Sequence, residues 1–109
     1  MMKKSSNSGH GGYEHQASIC KAFANPTRLQ LIDLLGRKER WASELQAGLG
    51  ISKANLSQHL SILRTAGVVL TQREGKQLYC GISMPEVRQA ATLFRTLTKA
   101  VSRTKRRSE

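Results

Sequence analysis

Only Gly50, Ile51 and Ser52 separate two short amphipathic segments, Trp41 to Leu49 and Lys53 to Ala66. Two helices joined by a turn of about three or four residues have the spacing of a helix-turn-helix. Gly50 stops the first, whose Leu45 and Leu49 turn inward. Ser52 caps the second and Gly67 ends it.

After Gly67 the pattern changes period. "VVLTQR" and "QLYCGIS" are β-rich runs joined through "EGK", where Gly75 can take the positive φ of a tight hairpin. Ser83 and Glu86 then have the spacing of a capping box. They open a predicted helix whose Val87, Ala90, Ala91, Phe94, Leu97 and Val101 share one face. So wide an apolar stripe on a terminal helix needs a partner surface. Upstream, Asn25 and Pro26 start a helix with Leu29, Ile32 and Leu35 in its buried stripe and Gly36 closing it. An earlier helix runs from Tyr13 to about Ala24, carried by Tyr13, Ala17, Cys20 and Ala24 with Ile19 and Phe23 beside them. The expected fold is mostly α with a small β-hairpin wing: four helices, two strands and a closing helix.

Residues 1–12 are Gly, Ser, Asn and Lys with hardly an apolar side chain, so they cannot offset their ordering entropy and are expected to form a disordered arm. Residues 13–102 form the domain, and 103–109 a basic C-terminal tail. A domain of 109 residues buries only about two thirds of the surface its unfolded chain exposes, so a second subunit would help. The chain carries 18 Lys and Arg against 7 Asp and Glu, a net charge of +11 that favours nucleic acid first and anionic membrane second. No apolar run approaches the roughly 18 residues of a membrane span, and the basic start lacks the apolar stretch of a secretion signal. A cytoplasmic protein with no membrane partner is expected. Two cysteines, Cys20 and Cys80, are too few for a disulfide framework and fit a reducing compartment.

Steps of about 100° per residue divide the helix after Ser52 into two arcs. Lys53, Ala54, Ser57, Gln58, Ser61 and Arg64 share one, and Leu56, His59, Leu60 and Leu63 the other. The first arc is built of short side chains that permit close approach to a groove. Gln58 can pair bidentately with adenine, Ser57 can donate or accept, and Lys53 and Arg64 flank them as guanine or phosphate contacts. Any surface helix can carry Ser and Gln; the preceding helix, the hairpin and the charge together turn the reading toward DNA. Arg73 and Lys76 at the hairpin tip suit a wing on the phosphate backbone or minor groove. Basic hairpin tips are also simply soluble loops, but their place beside the reading helix favours the wing.

At this point the residues resemble the ArsR/SmtB family of winged helix-turn-helix repressors. "ANPTRLQLIDLL" looks like that family's second helix, "SKANLSQHLSILRTAGVV" like its recognition helix and "REGKQLYCGIS" like its wing. The resemblance covers Tyr13 to Val101 and implies a cytoplasmic homodimer, joined through its first and last helices, that sits on a palindromic operator until an inducer arrives. It places Lys53, Ala54, Asn55, Ser57 and Gln58 toward the groove, although the helical wheel sets Asn55 at the edge of the apolar arc. His59 matches a recurrent histidine of the family, and its apolar arc makes it a packed or internally bonded residue.

Inducer sites differ within the family. A Cys-x-Cys metal site at the start of the third helix would fall on Trp41 and Ser43, neither a soft-metal ligand. A zinc site on the last helix needs Asp, His and Glu pairs, whereas residues 84–101 offer only Glu86. Persulfide-sensing members pair a cysteine in the second helix with one in the last; Asp33 stands at the former position, and the last helix has no sulfur except Met84. Cys20 and Cys80 remain, with three readings: small core hydrophobes, a thiol switch, or a metal or metalloid site shared with His10 or His15. No metal or cofactor is assigned. An enzyme lacks its parts: no phosphate-cradling glycine motif follows a strand, and no carboxylate pair or cysteine–base couple is evident. The rival to a repressor is a sequence-blind architectural protein that coats any duplex through counterion release.

Overall fold

The computed structural model describes the backbone of residues 2–108 and the side chains of residues 12–106. Its elements are α1 (Met2–Phe23), α2 (Pro26–Arg37), β1 (Arg40–Trp41), α3 (Ala42–Leu49), α4 (Lys53–Thr65), β2 (Val69–Glu74), β3 (Gln77–Ile82) and α5 (Pro85–Ser108).

The helix starts follow the caps read from sequence. The Asn25 side chain accepts the Arg28 N–H at 3.1 Å with Pro26 in the first turn of α2, and Ser52 Oγ accepts the Asn55 N–H at 3.1 Å. Gly50 closes α3 at φ 64°, the left-handed conformation that lets α4 start within three residues. The buried stripe of α2 is Leu31, Ile32 and Leu35, and Leu29 is 37% exposed. The expected stripe was thus rotated by one neighbour. Nor does Gly36 end the helix, because the Lys38 N–H and Arg40 Nε both reach the Leu34 carbonyl and close it one residue later.

The wing is the outer part of a three-stranded antiparallel sheet in the order β1-β3-β2. β1 was not expected. Trp41, read as the first residue of the third helix, is instead its N-cap: its N–H donates to the Glu44 carboxylate at 2.9 Å. Arg40 and Trp41 pair with Cys80 and Tyr79, and the Trp41 and Tyr79 rings lie 4.8 Å apart. Beyond this base, β2 and β3 stay in register from Val69↔Ile82 to Glu74↔Gln77. Gly75, at φ 63°, takes the first place of the two-residue turn.

The core gathers on α2. Leu31, Ile32 and Leu35 meet Leu45 of α3, Leu56, Leu60 and Leu63 of α4, Val69 and Cys80 of the sheet, Val87 and Ala91 of α5, and Phe23 of α1. Ser83 does not serve as the cap expected for α5. Its Oγ donates to the Gly67 carbonyl at 2.7 Å and its N–H to the Val68 carbonyl, so it fastens the end of β3 to the exit of α4.

Both end helices extend beyond their predicted bounds. α1 begins at Met2, inside the segment read as an arm. His10 and the other side chains before Gly12 lie outside the described residues. α5 continues to Ser108 through the segment read as a separate tail, because Lys and Arg form helix well and favour a C-terminal turn. Among the described residues no helix is long and apolar enough to cross a membrane.

Candidate nucleic-acid interface

The three leucines of α4 hold its inner face against α2 and α3. That fixes what points away: Lys53, Ala54, Asn55, Ser57, Gln58, Ser61 and Arg64 are all exposed. Asn55 belongs with them, so its place at the edge of the apolar arc leaves it in solvent.

Lys53 and Ser57 share a groove of about 320 Å³ with Arg73 and Lys76 of the wing tip. Ser43 and Gln46 of α3 and Gln77 of β3 complete its polar lining, and its floor is Leu56, Leu60 and Leu78. Three cations line it and no carboxylate does. Ser43, Gln46 and Gln77 were missed from sequence because they lie on α3 and β3, away from the reading helix, and none stands out by type. Ser61 lies instead in a second groove, between α1 and α4, with Ser18, Lys21, Arg28 and Thr65. Arg64 has a structural partner: its guanidinium donates to Thr71 Oγ1 at 3.3 Å, joining the last turn of α4 to β2.

Arg28 ties α4 to α1. Its Nε donates to the Ala22 carbonyl at 2.7 Å and its second nitrogen to the Lys21 carbonyl at 3.2 Å, which satisfies the open C-terminus of α1. The remaining nitrogen lies 3.4 Å from Nδ1 of His59. Burial first, and then the Arg28 cation, hold the His59 imidazole below its usual pKa. His59 is half-buried beside the leucine face, the internally bonded role expected from its arc.

The two cysteines sit in different surroundings. Cys80 is 1% exposed within the core, and burial pushes its thiol pKa up, against the smaller opposing effect of Arg64. Cys20 is exposed on α1. Among the described residues no three His, Cys, Asp or Glu side chains converge to hold a metal ion. Asp33 is ion-paired to Arg95 at 2.6 Å and so links α2 to α5.

Two turn-linked helices, the second exposed beside a basic β-hairpin, define a winged helix-turn-helix. The family described as bacterial regulatory protein, arsR family, matches residues 25–71. An uncharacterised HTH-type transcriptional regulator of Mycobacterium tuberculosis is 32% identical over 90 residues, 82% of this chain and 79% of that one. Its crystal structure matches with a TM-score of 0.78 and 31% identity, over 85% of this chain and 94% of that one. The biofilm growth-associated repressor of Xylella fastidiosa is 32% identical over 81 residues, 74% of this chain and 71% of its own length. A homodimeric winged helix-turn-helix DNA-binding domain from Mycobacterium bovis matches with a TM-score of 0.77 and 28% identity, over 84% of each chain. The chain belongs to the ArsR family of bacterial regulatory proteins, the HTH-type transcriptional regulators.

Proposed function

We propose that this protein is a homodimeric repressor that lays α4 of each protomer into successive major grooves of a palindromic operator and leaves it when an inducer binds. The observation that carries the reading is the carboxylate-free groove in which Lys53 and Ser57 of α4 meet Arg73 and Lys76 of the wing. In it the short side chains of α4 would approach base edges while the flanking cations neutralise phosphates. Gln58 and Asn55 are the base readers, and Ala54 leaves room for the groove wall. Ser61 and Arg64 border the contact.

The dimer follows from the outer face of α5. Leu93, Leu97 and Val101 are 67%, 57% and 48% exposed, and Tyr13 of α1 is 73% exposed. Phe94 packs edge-on to Phe23 at 5.4 Å, so α1 and α5 present this surface together. The homodimeric M. bovis relative supports the same assembly. An operator-bound repressor works in the cytoplasm. Thiol control would act through Cys20 or Cys80. Cys80 would have to leave the core to react, whereas Cys20 is accessible as it stands.

The test is binding to the protein's own upstream promoter and to scrambled duplex, with wild type and Gln58→Ala. A repressor prefers the promoter by roughly 10³ or more. The variant should lose on the order of 1 to 3 kcal/mol at the promoter and almost nothing on scrambled DNA. Equal affinity for both duplexes would establish the sequence-blind architectural reading instead. Repeating the titration after oxidation, beside a Cys20→Ser, Cys80→Ser double variant, decides the thiol question: release of wild type alone makes the cysteines the sensor.

A further inference from the structure

We infer that the cleft between α2 and α5 is an effector site for a small dianionic metabolite, carrying carboxylates or a phosphate, on the regulator proposed above. The cleft encloses about 410 Å³ over a floor of Ile32, Gly36 and Ala91. That volume is within the range of small-molecule sites. Gly36 contributes no side chain, and the Arg88 stem passes within 3.5 Å of where a β-carbon would stand.

The charge on the rim is unbalanced. Arg37, Arg88 and Arg95 face a single carboxylate, Asp33, leaving two positive charges uncompensated. Arg95 is held by Asp33 at 2.6 Å, whereas the Arg37 and Arg88 guanidinium groups have no partner among the described residues. Arg88 also stands in the first turn of α5, where a cation opposes the helix dipole. Guanidinium forks match the oxygens of carboxylate and phosphate bidentately, and two free forks suit a ligand with two negative charges.

The site stays open in the dimer. At about 100° per residue, Arg88, Thr92 and Arg95 lie on the arc of α5 opposite Leu93, Leu97 and Val101. A partner protomer covering the apolar stripe leaves the cleft in solvent. A bound dianion competes with Asp33 for Arg95 and so weakens the ion pair that joins the DNA-side helices to the dimer helix. Operator affinity changes through that link, and by linkage operator DNA changes ligand affinity by the same factor.

The full chain should be titrated calorimetrically, at matched ionic strength, with succinate, citrate and inorganic phosphate, and with succinamide as the uncharged analogue. We expect saturable binding of at least one anion, none of succinamide, and at least tenfold weaker binding by Arg88→Gln, whose exposed side chain is not needed for folding. The preferred anion separates a carboxylate effector from a phosphate one. At saturation, affinity for the protein's own promoter should fall at least threefold in wild type and stay constant in Arg88→Gln. Failure of all three anions to saturate, undiminished binding by the variant, or an anion-loaded protein with unchanged promoter affinity would overturn the inference. A lower salt slope on DNA for Arg88→Gln without anion binding would also overturn it, by making the arginine a phosphate contact. Should the ligand-free chain show no promoter preference, the repressor reading fails on its own, and the calorimetry still decides whether the cleft takes an anion.

Discussion

Replacing Arg28 by Met keeps the aliphatic stem and removes the three polar contacts that join α1, α2 and α4. Their energies are unequal. The carbonyl of Ala22, a residue 1% exposed, loses a 2.7 Å charge-assisted donor where water does not easily replace it, a cost of about 1 to 3 kcal/mol. The Lys21 carbonyl is exposed and regains water, so its 3.2 Å bond adds only a few tenths of a kcal/mol, roughly the value of a surface interaction. The 3.4 Å approach to His59 is long and contributes little to stability, although it orients the imidazole. The expected sum is about 2 kcal/mol. With an unfolding entropy of about 2.1 cal/mol/K per residue, 109 residues convert that into a Tm lower by about 9 °C. Calorimetry at fixed protein concentration measures it, because a dimer's Tm depends on concentration. A loss below about 2 °C for Arg28→Met, or an equal loss for Arg28→Lys, which retains one donor group, would refute the assignment of Arg28 as the cap of α1.

The His59 pKa is depressed in the folded chain, so the unfolded chain protonates first as pH falls. Its contribution to stability is present above about pH 6.5 and is lost as pH drops through the lower folded value. Urea midpoints at pH 7.5 and 5.5 should therefore differ more for wild type than for His59→Gln; an equal difference would remove the histidine from the account. Leu97→Glu should shift the protein from dimer to monomer in light scattering with little change in helicity. The lost apolar burial, about 1.5 to 3 kcal/mol for a leucine, weakens the dimer on the order of 100-fold, and unchanged dimers would place the interface elsewhere. Ser83→Ala should cost about 1 kcal/mol through its bond to Gly67, and amide exchange at the start of α5 should not accelerate. Faster exchange there would restore the capping role.

Local signals in the sequence were strong where one residue type settles one backbone state. Asn25 with Pro26, Ser52, Gly50 and Gly75 each did so, and the helix-turn-helix and hairpin follow from them. The reading face of α4 was equally legible, because three leucines at helical spacing leave its other arc outside. Signals failed where the deciding contact is distant or the element too short. β1 has two residues and hence no period, and its pairing lies far along the chain in β3. Ser83 has the same donor whether it caps a helix or bonds Gly67, and only the fold brings Gly67 close. Leu29 and Leu31 are interchangeable by type, and the packing against α4 and the sheet chose Leu31. The cleft of Asp33 and Arg95 joins side chains 62 positions apart, beyond any local pattern.

The ladder of β2 and β3 is held at its base, where β1 lies beside Cys80 and Tyr79, and along one side by Leu78, and ends in a turn of two residues. Its length is therefore an adjustable dimension. Adding one residue to each strand moves the tip outward by about 3.4 Å and turns the tip side chains to the opposite face, while adding two preserves their orientation. Insertions in pairs would lengthen the reach of Arg73 and Lys76 along a duplex without disturbing the leucines beneath α4, so spacing between wing and reading helix can diverge among related chains while the core stays fixed.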